Sequence, residues 1–271
     1  MRENLSSSGM TTLAGRTIAA LRSEHDNLAG IVSSLTAEQL TGPSGASEWT
    51  VADVLSHLGS GAEITLAGLR AALGEAEKPG ADFNQGVWDR WNALSPQDQA
   101  AGWATSDAAL VTALEAIPEE RHDELKVDMG FLPEPIPLAS FAAMRLSEVA
   151  QHSWDVRVGA DPEAALEELS AQLLAEHLSG GIAFMLGFIG KPGVAREDTV
   201  LEINKTPYRV VIADQVRLTT EALPGTATFD GPLESVVRLA YGRLAPRYTP
   251  AGVEVTGTIT LDELRTVFPG F

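Results

Sequence analysis

The sequence predicts two architectures in tandem, a four-helix bundle over residues 11–160 and a small α+β domain over residues 161–271. Three observations predict it. Apolar residues recur at helical spacing from Thr11 to Gly159, the period shortens to two in β-rich runs from Thr199 onward, and the turn-forming pair Asp161-Pro162 separates the two regimes. At 271 residues with 44% hydrophobic content, the chain is long enough for two cores of ordinary globular composition.

Residues 1–10 are rich in serine and read as a disordered leader. In residues 11–35, Leu13, Ile18, Leu21, Leu28, Ile31, Val32 and Leu35 share a helical face. His25 lies on that face, either as a hydrogen-bonded core histidine or as a group in a cleft. Gly42-Pro43 and Gly45 mark a loop. Thr50 then caps a second helix reaching Leu73, with Asp53 completing a capping box. Asp53 also precedes His57 by one turn and could orient its imidazole. Residues 74–82 are turn-rich, and residues 83–117 return to helical periodicity with a break at Ser95-Pro96, an N-terminal signature followed by Asp98. Trp88, Trp91 and Trp103 read as core or cleft-lining residues. His122, in the polar run 119–124, reads as part of a solvated turn. Pro133, Pro135 and Pro137 close a long crossing, after which a helix runs from Leu138 to about Gly159. The second region opens with a helix ending near Gly190-Lys-Pro192. Strands follow at 199–203, 208–212, 216–220, 226–229 and 253–259, with helices at 233–244 and from the capping box at Thr260 to Phe268.

A net charge of −18 opposes binding to nucleic acid or to anionic membrane surfaces. The longest apolar run, residues 181–189, is too short to span a bilayer, and the N-terminus lacks the apolar segment of a signal peptide; the expected location is the cytoplasm. There is no cysteine, so disulfides, a cysteine nucleophile and thiolate metal ligands are excluded. Any thiol chemistry here needs a sulfur carried by a small molecule.

The strongest chemical signal is Glu148 and His152, four residues apart on the helix from Leu138. Their Cβ atoms lie roughly 5–6 Å apart on one face, and both side chains can reach a single divalent ion at bond lengths of about 2.0–2.2 Å. Isolated Glu-x3-His pairs are common as solvated neighbours. This one is interleaved with Phe141, Met144, Val149 and Val156, where an unpaired charge is costly. His57, on the second helix and flanked by Val54, Leu55 and Leu58, is the third candidate. A His/Glu/His set from two helices leaves coordination positions open, as catalytic metal sites do.

These residues resemble a known family. Leu21-x6-Leu28, the stretch from Glu48-Trp49-Thr50 to His57-Leu58, and Glu148-x3-His152 are similar to the DinB-like maleylpyruvate isomerase N-terminal domain. The C-terminal region resembles the small sterol-carrier-like domain that follows it in mycothiol-dependent maleylpyruvate isomerases. The resemblance implies a zinc site at His57, Glu148 and His152, with another divalent metal possible, and mycothiol as thiol cosubstrate. It also implies that Arg243, in the segment 233–243, points to the cleft as a catalytic cation. Arg238 and Arg145 are further candidates for holding an anionic substrate, and all three arginines also fit ion pairs. The implied activity is a mycothiol-dependent S-transferase or a maleylpyruvate-type cis–trans isomerase acting on an electrophile, as a monomer or homodimer. Two other readings compete: a non-catalytic metal-binding stress or ligand-sensing protein, and a hydrolase using metal-bound water, for which the sequence offers no specific general base.

Overall fold

The computed structural model describes residues 12–270, so the predicted leader at 1–10 lies outside the described residues. The first region is helical: α1 (Leu13–Val32), α2 (Ala37–Leu40), α3 (Val51–Leu73), α4 (Phe83–Asn92), α5 (Pro96–Glu115) and α6 (Leu138–Val158). The four long helices α1, α3, α5 and α6 form a ring in which α1 and α3 each pack against both α5 and α6. The predicted caps form. Thr50 accepts from the Asp53 amide while the Asp53 carboxylate accepts from the Thr50 amide, and Ser95 caps α5 with Pro96 at its first position. Two features were not anticipated: the one-turn α2, and a two-residue antiparallel ladder of β1 (Lys126–Val127) with β2 (Ile136–Pro137) that closes the long crossing.

The second region has α7 (Glu168–Leu178), α8 (Phe184–Ile189), β3 (Thr199–Ile203), β4 (Arg209–Ile212), β5 (Val216–Thr219), β6 (Ala227–Asp230), α9 (Leu233–Ala240), β7 (Glu254–Gly257) and α10 (Leu261–Val267). The strands form one sheet in the order β5-β4-β3-β6-β7, parallel between β3 and β6 and antiparallel elsewhere. Strand β3 alternates buried and half-buried residues, the period-two pattern read from the sequence. The single helix expected before residue 190 is two helices, α7 and α8, separated by a turn at Ser179–Ala183.

Helix α7 touches α1, α6 and α9, so it joins the bundle to the sheet region. Its seam with α1 is polar: Arg16 pairs with Glu176, Thr17 with His177 Nε2 at 2.8 Å, and Ser170 donates to Glu24 at 2.6 Å. Helix α6 is buried on nearly every side, which explains its weak amphipathic pattern. Trp91 fits between α3 and α5 only because glycines face it. A Cβ on Gly59 would lie 2.2 Å from the indole, and one on Gly102 would lie 3.0 Å away. Among the described residues, no helix is long and apolar enough to cross a membrane.

Candidate metal centre

Helices α3 and α6 bring His57, Glu148 and His152 together. His57 Nε2 lies 2.9 Å from Glu148 Oε2, and His152 Nε2 lies 3.6 Å from the same oxygen. All three donor atoms lie within 4.8 Å of one another. Donors around a tetrahedral ion with bonds near 2.1 Å are about 3.4 Å apart, so a divalent cation fits among these three after small side-chain adjustments. Partial desolvation of the half-exposed Glu148 carboxyl raises its pKa. The hydrogen bond with His57 and the charges of His152, His57 and Arg145 outweigh this and hold it down to about 2. The group is therefore an anion over the whole physiological range, as a ligand must be.

The imidazole of His152 is oriented from behind. Its Nδ1 lies 2.8 Å from Asp155 Oδ2, three residues along α6, and Asp155 is fully buried. A carboxylate accepts from Nδ1–H, which leaves the Nε2 lone pair facing Glu148 and His57. Asp155 also accepts from Arg243, at 3.0 Å from Nε and 2.7 Å from Nη2. Burial raises the Asp155 pKa, but these hydrogen bonds and charges lower it further, and the net direction is down. Arg243 reaches this position because α9 ends in a Schellman turn. Gly242 adopts φ +71°, its amide donates to Leu239, and the Arg243 amide donates to Arg238. A side chain at Gly242 would collide with Gly270.

Trp49 covers the two imidazoles, with ring centroids 5.3 Å from His57 and 6.1 Å from His152. The loop before it is pinned to α6 by the Gly45 amide donating to the Asp155 carbonyl at 2.8 Å. The Tyr241 hydroxyl is buried and without a close partner; burial pushes the phenol up to about 12, and the Glu148 charge acts in the same direction.

For several residues the structure decides between the roles read from the sequence, and for His122 it gives a different one. Asp53 is committed to the cap of α3, and the carboxylate that orients an imidazole of the donor set is Asp155. Arg238 is buried and paired with Glu234, and it donates to the carbonyls of Tyr248 and Arg243; it builds the turn that carries Arg243. Arg145 is buried, donating to Asp107 and the Leu58 carbonyl at 2.8 Å each. His25 completes that cluster by bonding Asp107, which settles it as a core histidine. His122 is buried between Thr12 and the Ile117 carbonyl rather than solvated. Trp154, next to His152 and Asp155 in the sequence, packs under Arg238 and donates to the Ala164 carbonyl. Asp155 carries a signal that the sequence held: a carboxylate at i+3 from the candidate histidine His152.

A cavity of about 1010 Å³ opens beside the donors and includes His57 and Glu148 in its wall. The family model for the mycothiol maleylpyruvate isomerase N-terminal domain matches residues 21–157, just over half of the chain and the whole of the donor set. The chain belongs to this family. Among curated relatives, an uncharacterized protein of Mycobacterium tuberculosis is 29% identical over 152 residues, covering 54% of this chain and 71% of the relative. A second uncharacterized protein of the same organism is 28% identical over 148 residues, covering 52% of this chain and 55% of that one. A crystal structure of mycothiol-dependent maleylpyruvate isomerase matches with a TM-score of 0.64 at 20% identity, covering 92% of this chain and 98% of the other. At that identity the likeness is one of fold, and it extends through the sheet region, well past the segment matched by the family model.

Proposed function

We propose that this family member is a metal-dependent enzyme that uses a small-molecule thiol, mycothiol, as nucleophile toward an electrophilic substrate. It acts as an S-transferase or as a maleylpyruvate-type cis–trans isomerase. The observation that carries the reading is an oriented His/Glu/His donor set opening on a large cavity, in a chain without cysteine. His57, Glu148 and His152 would hold the ion, and their nitrogen and oxygen donors suit zinc. When bound, such an ion lowers the pKa of a coordinating thiol and makes it nucleophilic at neutral pH. Asp155 fixes the tautomer and direction of His152. Trp49 screens the two histidines from solvent on one side. Arg243, held 3.5 Å from His152 Nδ1 by its pairing with Asp155, would be the catalytic cation.

The sensor reading calls for a ligand cavity in the sheet region separate from the donors. The space there, among α7, α9 and β3, is about 20 Å³, room for little more than a water molecule. The test is metal content by mass spectrometry together with thiol-dependent turnover, for the wild type and for His152→Ala. Stoichiometric metal and turnover in the wild type, both lost in the variant, are expected. A wild type that takes up no added zinc, or a metal-free protein of full activity, would overturn the reading.

A further inference from the structure

The cavity is far longer than the donor cluster. From α3 alone its wall takes His57, Gly61, Ile64, Gly68 and Ala71, a single helical face. At a rise of 1.5 Å per residue, the step from His57 to Ala71 is a trough of about 20 Å. Its floor is kept open by small side chains: a Cβ added at Gly68 would meet only the Asp128 carbonyl, at 3.8 Å. The facing wall carries Phe141 and Met144 of α6 and Ile182 and Met185 before and within α8, with Arg145, Ser147 and Glu148 as its polar members. At the rim stand Trp88 and Phe131, which are 43% and 68% exposed. Aromatic rings left in water beside an apolar trough mark a surface that a ligand covers.

The fixed cations bordering the trough are mostly neutralised in pairs. Three cations border it. Lys78 is paired with Asp128 at 2.6 Å and Arg145 with Asp107, which leaves Lys126 as the one without a carboxylate partner among the described residues.

We propose that the electrophile taken by this site carries an extended apolar body, an alkyl chain or linked aryl rings, lying along α3 with its reactive carbon at the His57 end. The proposal rests on the thiol-enzyme reading above and adds the substrate class. For an α,β-unsaturated carbonyl compound, the thiol sulfur bonds to the β-carbon, the alkene π pair shifts to the α-carbon, and the thiol proton ends there. No oxidant or reductant is consumed.

The experiment is a homologous series of straight-chain 2-alkenals, from four to twelve carbons, assayed with mycothiol and zinc-loaded protein. Binding of the matching saturated alcohols, which cannot react, is measured by calorimetry without thiol. Each methylene buried in the trough is expected to raise kcat/KM and alcohol affinity by about two- to fourfold until the trough is filled. Ala71→Phe, which fills the trough from α3, is expected to lower the ratio of long-chain to short-chain kcat/KM at least tenfold. Thiol addition to the short alkenals with no dependence on chain length would overturn the proposal while leaving the thiol-enzyme reading intact. So would faster turnover of maleylpyruvate than of any long-chain substrate, or an Ala71→Phe variant whose only defect is weaker mycothiol binding. If no electrophile reacts, the thiol-enzyme reading fails, and the alcohol series alone decides whether the trough binds apolar chains.

Discussion

Asp155→Asn isolates the group that orients the candidate metal centre. The carboxylate accepts three hydrogen bonds, one from His152 Nδ1 at 2.8 Å and two from Arg243 at 2.7 and 3.0 Å. An asparagine of the same shape offers one oxygen and one NH2 to the same three donors. Whichever way the amide turns, at least one N–H faces another N–H. Loss of a hydrogen bond to a charged group costs about 1.5–3 kcal/mol of stability in a buried setting. The chemical consequence falls on His152: with its Nδ1 partner weakened, the Nε2 lone pair is no longer held toward Glu148. Loss of such outer partners lowers metal affinity about 10–100-fold. Urea unfolding measures the first effect, and zinc affinity by chelator competition measures the second. A variant that unfolds earlier yet binds zinc as tightly as the wild type would refute the orienting role and leave Asp155 as an anchor for Arg243 only.

Two further outcomes are expected away from the donors. Gly59→Ala gains helix propensity of about 1 kcal/mol, but it drives a methyl to 2.2 Å from the rigid, buried Trp91 ring. The variant should be less stable by about 1–3 kcal/mol in denaturant unfolding; equal or greater stability would show that α4 yields freely. His177 is buried, and burial holds its pKa down to about 4, below the ordinary value of 6.5. Because the folded-state pKa is depressed, the unfolded chain binds this proton first as pH falls. The stability tied to a neutral His177 is complete above pH 6.5 and is lost as pH falls through 4, about 3 kcal/mol at most. His177→Gln, which can still bond Thr17, should flatten the stability profile across that window; parallel profiles for the two proteins would contradict the assignment.

The sequence by itself determined the helices, their caps and the change of period, because these are local properties. The capping box at Thr50 and Asp53 and the alternation of Leu201 and Ile203 in β3 are settled by residues a few positions apart. The pairing of Glu148 with His152 is likewise fixed by one turn of helix. His57 stood out as a third candidate on its own apolar helix, and the resemblance to the family grouped it with α6, which helix periodicity alone cannot do. Only the tertiary structure decided which charges meet. Arg145, Arg238 and Arg243 are all paired, but with different partners: distant Asp107, adjacent Glu234, and Asp155 beside His152. Asp155 became the common partner of His152 and Arg243 because the turn after α9 returns to the buried face of α6. A buried charge takes the partner that packing brings to it, and packing depends on contacts across the whole chain. For the same reason the trough along α3 could not be read in advance: small residues at helical spacing show where space can exist, and only the facing walls show that it stays open.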